Sequence, residues 1–409
     1  MQSPRRRLRA PAMILTALLP AITLAGCANE PDPNTVTVLN SATDTLEHEA
    51  QQKYFDRCAK PLGVKVEQTS VPASQVVSKA LRMASSHSLT DILELDGSEL
   101  AQFADTGGLV PLKTAGVDVS GMSTGAVSLG TFKGTQYGIA RSVNSLALIY
   151  NKDLLRQAGV TPPTTWDELK TTAAKLTRGR TYGMAFSATP DADGVYQFLP
   201  FFWSGGGDEA HLDNGKGAAA LQLWKDLIDS KSASSAAVTW NQQDVNDQFI
   251  AGRAAMMING PWQVPVLSEH KDLNWAVASI PVPVAGKPPV PPIGGTVMAL
   301  PRTEDTGRQG TAAKILNCLN EQRNQVAWGE SVNNVPTRAT AAAEYKAENP
   351  KLAAFADVVA TARSRTARVG SRWPVISDAL SGAFQSVLTG GSTPEAALKQ
   401  AQSRATAGE

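Results

Sequence analysis

An α/β fold is predicted by three observations. From residue 35 onward, short runs rich in β-branched and apolar residues alternate with stretches of helix length. The Pro- and Gly-rich stretch Pro281 to Gly295 (PVPVAGKPPVPPIGG) breaks the helical pattern and reads as a loop feeding a strand that starts near Thr296. The chain of 409 residues, 42% hydrophobic and 18% charged, is long enough for two domains with sizeable cores.

In chain order, residues 35–39 read as a strand, 47–62 as a helix, 64–68 as a strand, 74–85 as a helix and 91–95 as a strand. Strands separated by helices of this length predict crossover units and a largely parallel sheet. Further helices are predicted over 152–158, 166–177, 215–230, 243–251, 311–330, 351–363 and 376–388, and there is no internal repeat. Asp167 and Glu168 sit where negative charge complements a helix start.

The beginning of the chain has a different character. Arg5, Arg6, Arg7 and Arg9 precede an apolar run from Ala12 to Ala25 that ends in Leu24, Ala25, Gly26 and Cys27. These are the parts of a secretory signal peptide, with a cysteine at the first mature position, where a bacterial lipid anchor is attached. Pro20 interrupts the run, which falls short of the ~20 apolar residues that span a bilayer. The expectation is a signal peptide over 1–26, lipidation at Cys27, a Pro-rich polar tether over 27–34, and an exported protein anchored by lipid to the outer face of the cell membrane.

A formal net charge of +1 with interspersed signs offers no basic face for nucleic acid and no polybasic membrane patch. After Cys27 only Cys58 and Cys318 remain. In an oxidising compartment such a pair is a candidate disulfide; the alternative is two separately buried thiols.

Catalytic and cofactor motifs are missing from the sequence. There is no G-x-x-x-x-G-K-[ST] loop, and Gly205, Gly206 and Gly207 lead into Asp208 and Glu209, which repel a phosphate and suit a turn. His48, His87, His211 and His270 are isolated and form no metal-binding pair, so neither a metal nor a cofactor is expected. No G-x-S-x-G elbow occurs, and neighbouring acids such as Asp208 and Glu209 rarely face each other across a sugar ring.

Several blocks spread over the chain carry a resemblance: TDILELDGSELAQFADTGGLVPL (90–112), GTQYGIARSVNSLALIYNKDLLRQAGVTPPTTWDELKTTAAKLT (134–177), FIAGRAAMMINGPW (249–262), IGGTVMAL (293–300) and RWPVISDAL (372–380). Together they resemble the bacterial extracellular solute-binding proteins of carbohydrate-uptake ABC importers, the maltose-binding-protein-like group. Arg141 departs from the small residue many relatives carry ahead of the crossover. The resemblance implies a two-lobe, type II periplasmic-binding-protein-like fold with three crossover segments, near 140–145, 292–296 and 340–350. One lobe would combine 35–141 with 296–343, the other 145–292 with 350–409. It also implies a monomer that is not an enzyme, with permease subunits as partners and ATP hydrolysis on a separate subunit. Cysteines at places corresponding to Cys58 and Cys318 occur in some actinobacterial members.

A carbohydrate needs aromatic platforms and planar polar side chains. Trp262, after Asn259 and Gly260, is the first platform, with Trp203 and Trp373 in matching segments; Trp166 and Trp328 are expected to pack helices. Asp96 ends the strand DILEL and is the leading polar contact, since ligands of α/β sheets sit outside the carboxyl ends of strands. Asn40 and Ser41 end the first strand similarly, Gln75 begins the second helix, and Asn144 lies at the first crossover. Gly294 and Gly295 would let backbone approach the ligand closely, and Arg372 could donate a bidentate pair to a hydroxyl or phosphate. The rival readings are a glycerophosphodiester or polyol-phosphate carrier of the same family and, more remotely, a lipid-anchored glycan hydrolase using a carboxylate such as Asp96.

Overall fold

Two sheets organise the chain in the computed structural model, which describes residues 32, 34–43, 45–350 and 352–407. The expected signal peptide, Cys27 and most of the tether lie outside the described residues. The first sheet begins with β1 (Thr35–Asn40), α1 (Thr45–Ala59), β2 (Lys65–Ser70), α2 (Ala73–Ser85) and β3 (Ile92–Asp96). After α3 (Leu100–Asp105), α4 (Thr124–Leu129) and a small hairpin of β4 (Thr131–Phe132) and β5 (Thr135–Gln136), β6 (Gly138–Ala140) joins it. The chain then builds a second sheet from β7 (Ala147–Asn151), α5 (Lys152–Gln157), α6 (Trp166–Leu176), β8 (Tyr182–Ala185), α7 (Ala192–Ser204), α8 (Ala218–Asp229), α9 (Gln242–Ile250), β9 (Ala254–Asn259), α10 (Val264–Glu269) and β10 (Trp275–Ala278). It returns to the first sheet with β11 (Thr296–Ala299), α11 (Thr306–Leu319) and α12 (Gln322–Val332), and leaves it through α13 (Ala339–Glu348), α14 (Ala353–Ala360), α15 (Trp373–Leu388) and α16 (Pro394–Ala405).

The strand orders are β2-β1-β3-β11-β6 and β10-β7-β9-β8. The expectation of largely parallel sheets needs correction. β1 runs parallel to β2 and β3, and β8 to β9, but β11 is antiparallel to β3 and β6, and β7 to β9 and β10. Local strand–helix–strand units give the parallel pairs. β11 enters its sheet from the other side of the molecule, so no crossover helix fixes its direction.

Local chemistry sets the element ends. Thr165 accepts from the Glu168 amide while Glu168 reaches back to the Thr165 amide, a reciprocal cap that gives the acidic start of α6 its role. The predicted helix over 311–330 is two helices, broken at Asn320 and Glu321, which cap α11 and α12. The predicted crossover at 340–350 is mostly helical, as α13, because ATAAAEYKAE is rich in strong helix formers. Two backbone links tie the crossings together: Val143 pairs with Val335 and Asn144 with Gly294, each through reciprocal N–H···O bonds of 2.8–3.0 Å.

Beneath the second sheet, Trp224, Phe198 and Phe384 pack ring to ring, with α15 and α16 closing over α7 and α8. In the first, Tyr54 stacks on Trp328, and Cys58 of α1 is bonded to Cys318 of α11 across a separation of 260 residues. The candidate disulfide is thus present, and the reading of two free thiols is set aside.

Candidate functional site

Between the sheets lies a cavity of about 770 Å³, within the size range of small-molecule sites. Its walls are the carboxyl ends of β1, β3, β6 and β9, the start of α7 and the crossings at Asn144 and Gly294.

On the β3 wall, strand alternation puts Glu94 and Asp96 on one face. Asp96 Oδ1 accepts from the Ser98 amide at 2.8 Å, from Ser98 Oγ at 2.5 Å and from Arg365 Nη2 at 2.7 Å. Burial acts to raise the Asp96 carboxyl, but the Arg365 charge and these donors outweigh it and hold it below the usual range. Arg365 comes from the segment between α14 and α15, and its guanidinium lies 5.1 Å from the Tyr196 ring. Glu94 is ion-paired with Arg141 at 2.7 Å and accepts from Gln51 Nε2 at 2.6 Å. Arg141 also donates to Thr296 Oγ1 at 3.1 Å and lies 4.2 Å from the Trp328 ring. The departure at Arg141 therefore makes this wall polar and ion-paired.

Across the cavity, the Tyr196 hydroxyl donates to Asn144 Oδ1 at 3.2 Å and to the Pro292 carbonyl at 3.3 Å. The half-buried Trp262 ring sits 6.4 Å from that of Tyr196. A side chain at Gly260 would occupy the space of the Trp262 indole, and one at Gly294 that of Asn144 and Tyr196. Gly295 has φ +142°, a conformation open to glycine and rarely adopted by other residues.

Of the residues the sequence singles out, Ser41, Asp96, Asn144, Trp262, Gly294 and Gly295 line this cavity together. The others do not, each for a visible reason. Asn40 is fully buried, donating to Gln68 Oε1 at 2.7 Å and accepting from Ser70 Oγ at 2.7 Å, so it staples β1 to β2. Gln75 is exposed on α2, whose Ala73 and Val76 reach the cavity instead. Asn259 is buried under the turn, bonded to the Gln242 carbonyl and the Gly260 amide, and Gly260 makes room for Trp262. Trp203 and Trp373 are core residues, 4% and 3% exposed, and Trp203 Nε1 donates to Glu209. Arg372 is exposed at the start of α15 and stands outside the lining, where Arg365 takes the arginine's place. Trp166 and Trp328 both pack in the core as expected, Trp328 against Tyr54 of α1, and Trp328 also contributes to the cavity lining beneath Arg141.

Sequence reasoning missed Glu94, Glu99, Asp193, Tyr196 and Arg365, whereas the departure at Arg141 did mark a residue of the pocket wall. The spacing of Glu94 and Asp96 in one strand was the available signal. Among the described residues no group of three potential ligands could hold a metal ion.

The family model for bacterial extracellular solute-binding proteins matches residues 53–354. The chain belongs to this family. Family membership makes it an exported solute-binding protein. A binding protein of Brucella abortus is 29% identical over 285 residues, covering 67% of this chain and 68% of its own. A maltooligosaccharide ABC transporter solute-binding lipoprotein of Streptococcus pneumoniae is 23% identical over 376 residues, 84% of each chain. The crystal structure of the cyclic alpha-maltosyl-1,6-maltose binding protein from Arthrobacter globiformis superposes with a TM-score of 0.79 at 24% identity, covering 92% of this chain and 99% of that one. It shares the two-lobe type II periplasmic-binding-protein fold.

Proposed function

We propose that this solute-binding protein captures a carbohydrate in the cavity between its sheets and delivers it to the permease of an ABC importer, without turning it over. The observation that carries this reading is the pairing, across one cavity, of the half-buried Trp262 with the ion-paired Asp96 and the orienting Asn144 and Tyr196. An indole offers a face to a sugar ring, and fixed polar groups pair its hydroxyls. The relatives named for maltooligosaccharide and cyclic maltosyl-maltose binding support the same class. The lobes are taken to be 35–141 with 296–343 and 145–292 with 350–409, closing as a hinge. Export as a monomer anchored through Cys27 completes the proposal.

The geometry disfavours the phosphate-bearing alternative. The first amides of α7 that face the cavity are already capped, with Asp191 Oδ1 accepting from Asp193 and Gly194 at 3.0 Å. The charges of Arg365 and Arg141 are already paired with Asp96 and Glu94, so what they have left for a ligand is hydrogen-bond donors rather than free positive charge for a phosphate. A thermal-shift screen over mono-, di- and oligosaccharides and glycerophosphodiesters tests the proposal, because a bound ligand raises stability by mass action. A saccharide should raise the melting temperature and be recovered uncleaved. Stabilisation by glycerophosphodiesters alone, or cleavage of the sugar, would overturn it.

A further inference from the structure

The charges around the cavity do not balance. Among the described residues, six carboxylates line it against two guanidiniums, with no lysine or histidine. Both arginines are spent: Arg141 faces Glu94 at 2.7 Å and Glu47 at 3.7 Å, and Arg365 faces Asp96. Asp191 is satisfied as the cap of α7. Two carboxylates are left. Glu99 stands at the N-terminal position of α3, makes no capping bond and accepts only from the Asp96 backbone amide, and Asp193 lies in the first turn of α7; neither side chain is ion-paired among the described residues. They come from opposite walls of the cavity, and both feel the charges of Asp96 and Arg365. Burial first, and then a neighbouring carboxylate, raises the pKa of each: Asp96 acts on Glu99, and Asp191 on Asp193.

A second imbalance has the opposite sense. Arg365 Nε and Arg141 Nη1 are buried donors without an acceptor, on side chains only 7% and 5% exposed, and both residues line the cavity. A buried donor left unmatched is costly. A neutral sugar would satisfy the arginines and leave the two carboxylates uncompensated. A simple cation would do the reverse, and no metal-binding group of three exists among the described residues. A sugar that also carries a positive charge answers both needs.

Resting on the carbohydrate reading above, we infer that the solute is an amino-bearing saccharide whose protonated amine sits between Glu99 and Asp193 while its hydroxyl oxygens accept from Arg365 and Arg141. The test uses matched disaccharides in three forms: maltose, cellobiose and trehalose, their 2-amino-2-deoxy counterparts, and the N-acetylated versions of those. Affinities are measured by calorimetry near neutral pH at low ionic strength. At least one amino form should bind tenfold or more tighter than both its hydroxyl parent and its acetylated form, because acetylation keeps the nitrogen and removes the charge. The Glu99→Gln, Asp193→Asn double variant should reduce that preference to threefold or less. If neutral forms bind and every amino form binds no tighter, the inference is overturned and the carbohydrate reading stands. If the double variant keeps the full preference, the amine is not between these carboxylates and the inference fails. If no disaccharide of any form binds, the inference fails, while the carbohydrate reading is decided separately by the wider thermal-shift screen. The comparison of amino with acetylated forms decides the matter on the parent protein should the variant not fold.

Discussion

Glu99→Gln should change how stability depends on pH, and the size of the change follows from the surroundings of Glu99. Burial and the Asp96 charge push this carboxyl up to about 7 from an ordinary value of 4.5, with Arg365 partly opposing them. Between those values the folded protein holds a proton that the unfolded chain has lost. The contribution of Glu99 to stability is complete below pH 4.5 and lost as pH rises through about 7. At about 1.4 kcal/mol per unit, the loss is roughly 3 kcal/mol. With an unfolding entropy of about 2 cal/mol/K per residue, a cooperative melt of a chain this size shifts by about 4 °C. Glutamine cannot titrate, so the melting temperature of the variant relative to the parent should rise by about that amount between pH 4.5 and 8. The assay is a pair of calorimetric melts at each pH, in which any constant effect of the substitution cancels. An offset that is the same at both pH values would refute the placement of Glu99 in a confined, acidic environment.

Trp262→Ala should cost about 2 kcal/mol or more of saccharide affinity with little loss of melting temperature, whereas Trp373→Ala, which empties a core position, should cost ~3–5 kcal/mol of stability; calorimetric titration and melts separate the two. Arg365→Met leaves Asp96 without its counter-charge and should weaken saccharide binding about tenfold while raising the acid midpoint of the Asp96 carboxyl, followed by NMR titration. Cys58→Ser should destabilise the protein by up to about 5 kcal/mol, because the lost bond closes a loop of 260 residues; a melt unchanged from that of the parent would contradict this. Cys27→Ser should move the protein from the membrane fraction to the soluble fraction while saccharide binding persists.

The helices around the first sheet and β2 were legible because one face is buried and the other wet, whereas β1 and β3, buried on both faces, were legible as short apolar runs. β1 to β3 and α1 to α2 fall within a few residues of the predicted bounds. α7 was not legible. It is buried from Gly194 through Trp203 and carries Pro200, so it shows neither an apolar stripe nor an unbroken helical composition. Its loss hid Tyr196 and Asp193, which form one wall of the site. Asp96 was found because it ends a strand, and Trp262 because it closes the block FIAGRAAMMINGPW that carries the family resemblance. Trp203 and Trp373 could not be told from platforms, since core packing and ligand stacking draw on the same residue type. Arg365 was invisible for a different reason: its partner Asp96 lies 269 residues away, and no local spacing encodes that pairing.

A crystal structure with the tightest-binding saccharide of the panel tests the central claim most directly. A sugar ring should lie against the Trp262 indole, with a hydroxyl within about 3 Å of the Asp96 carboxylate. A saccharide bound elsewhere, with Trp262 and Asp96 untouched, would contradict the account.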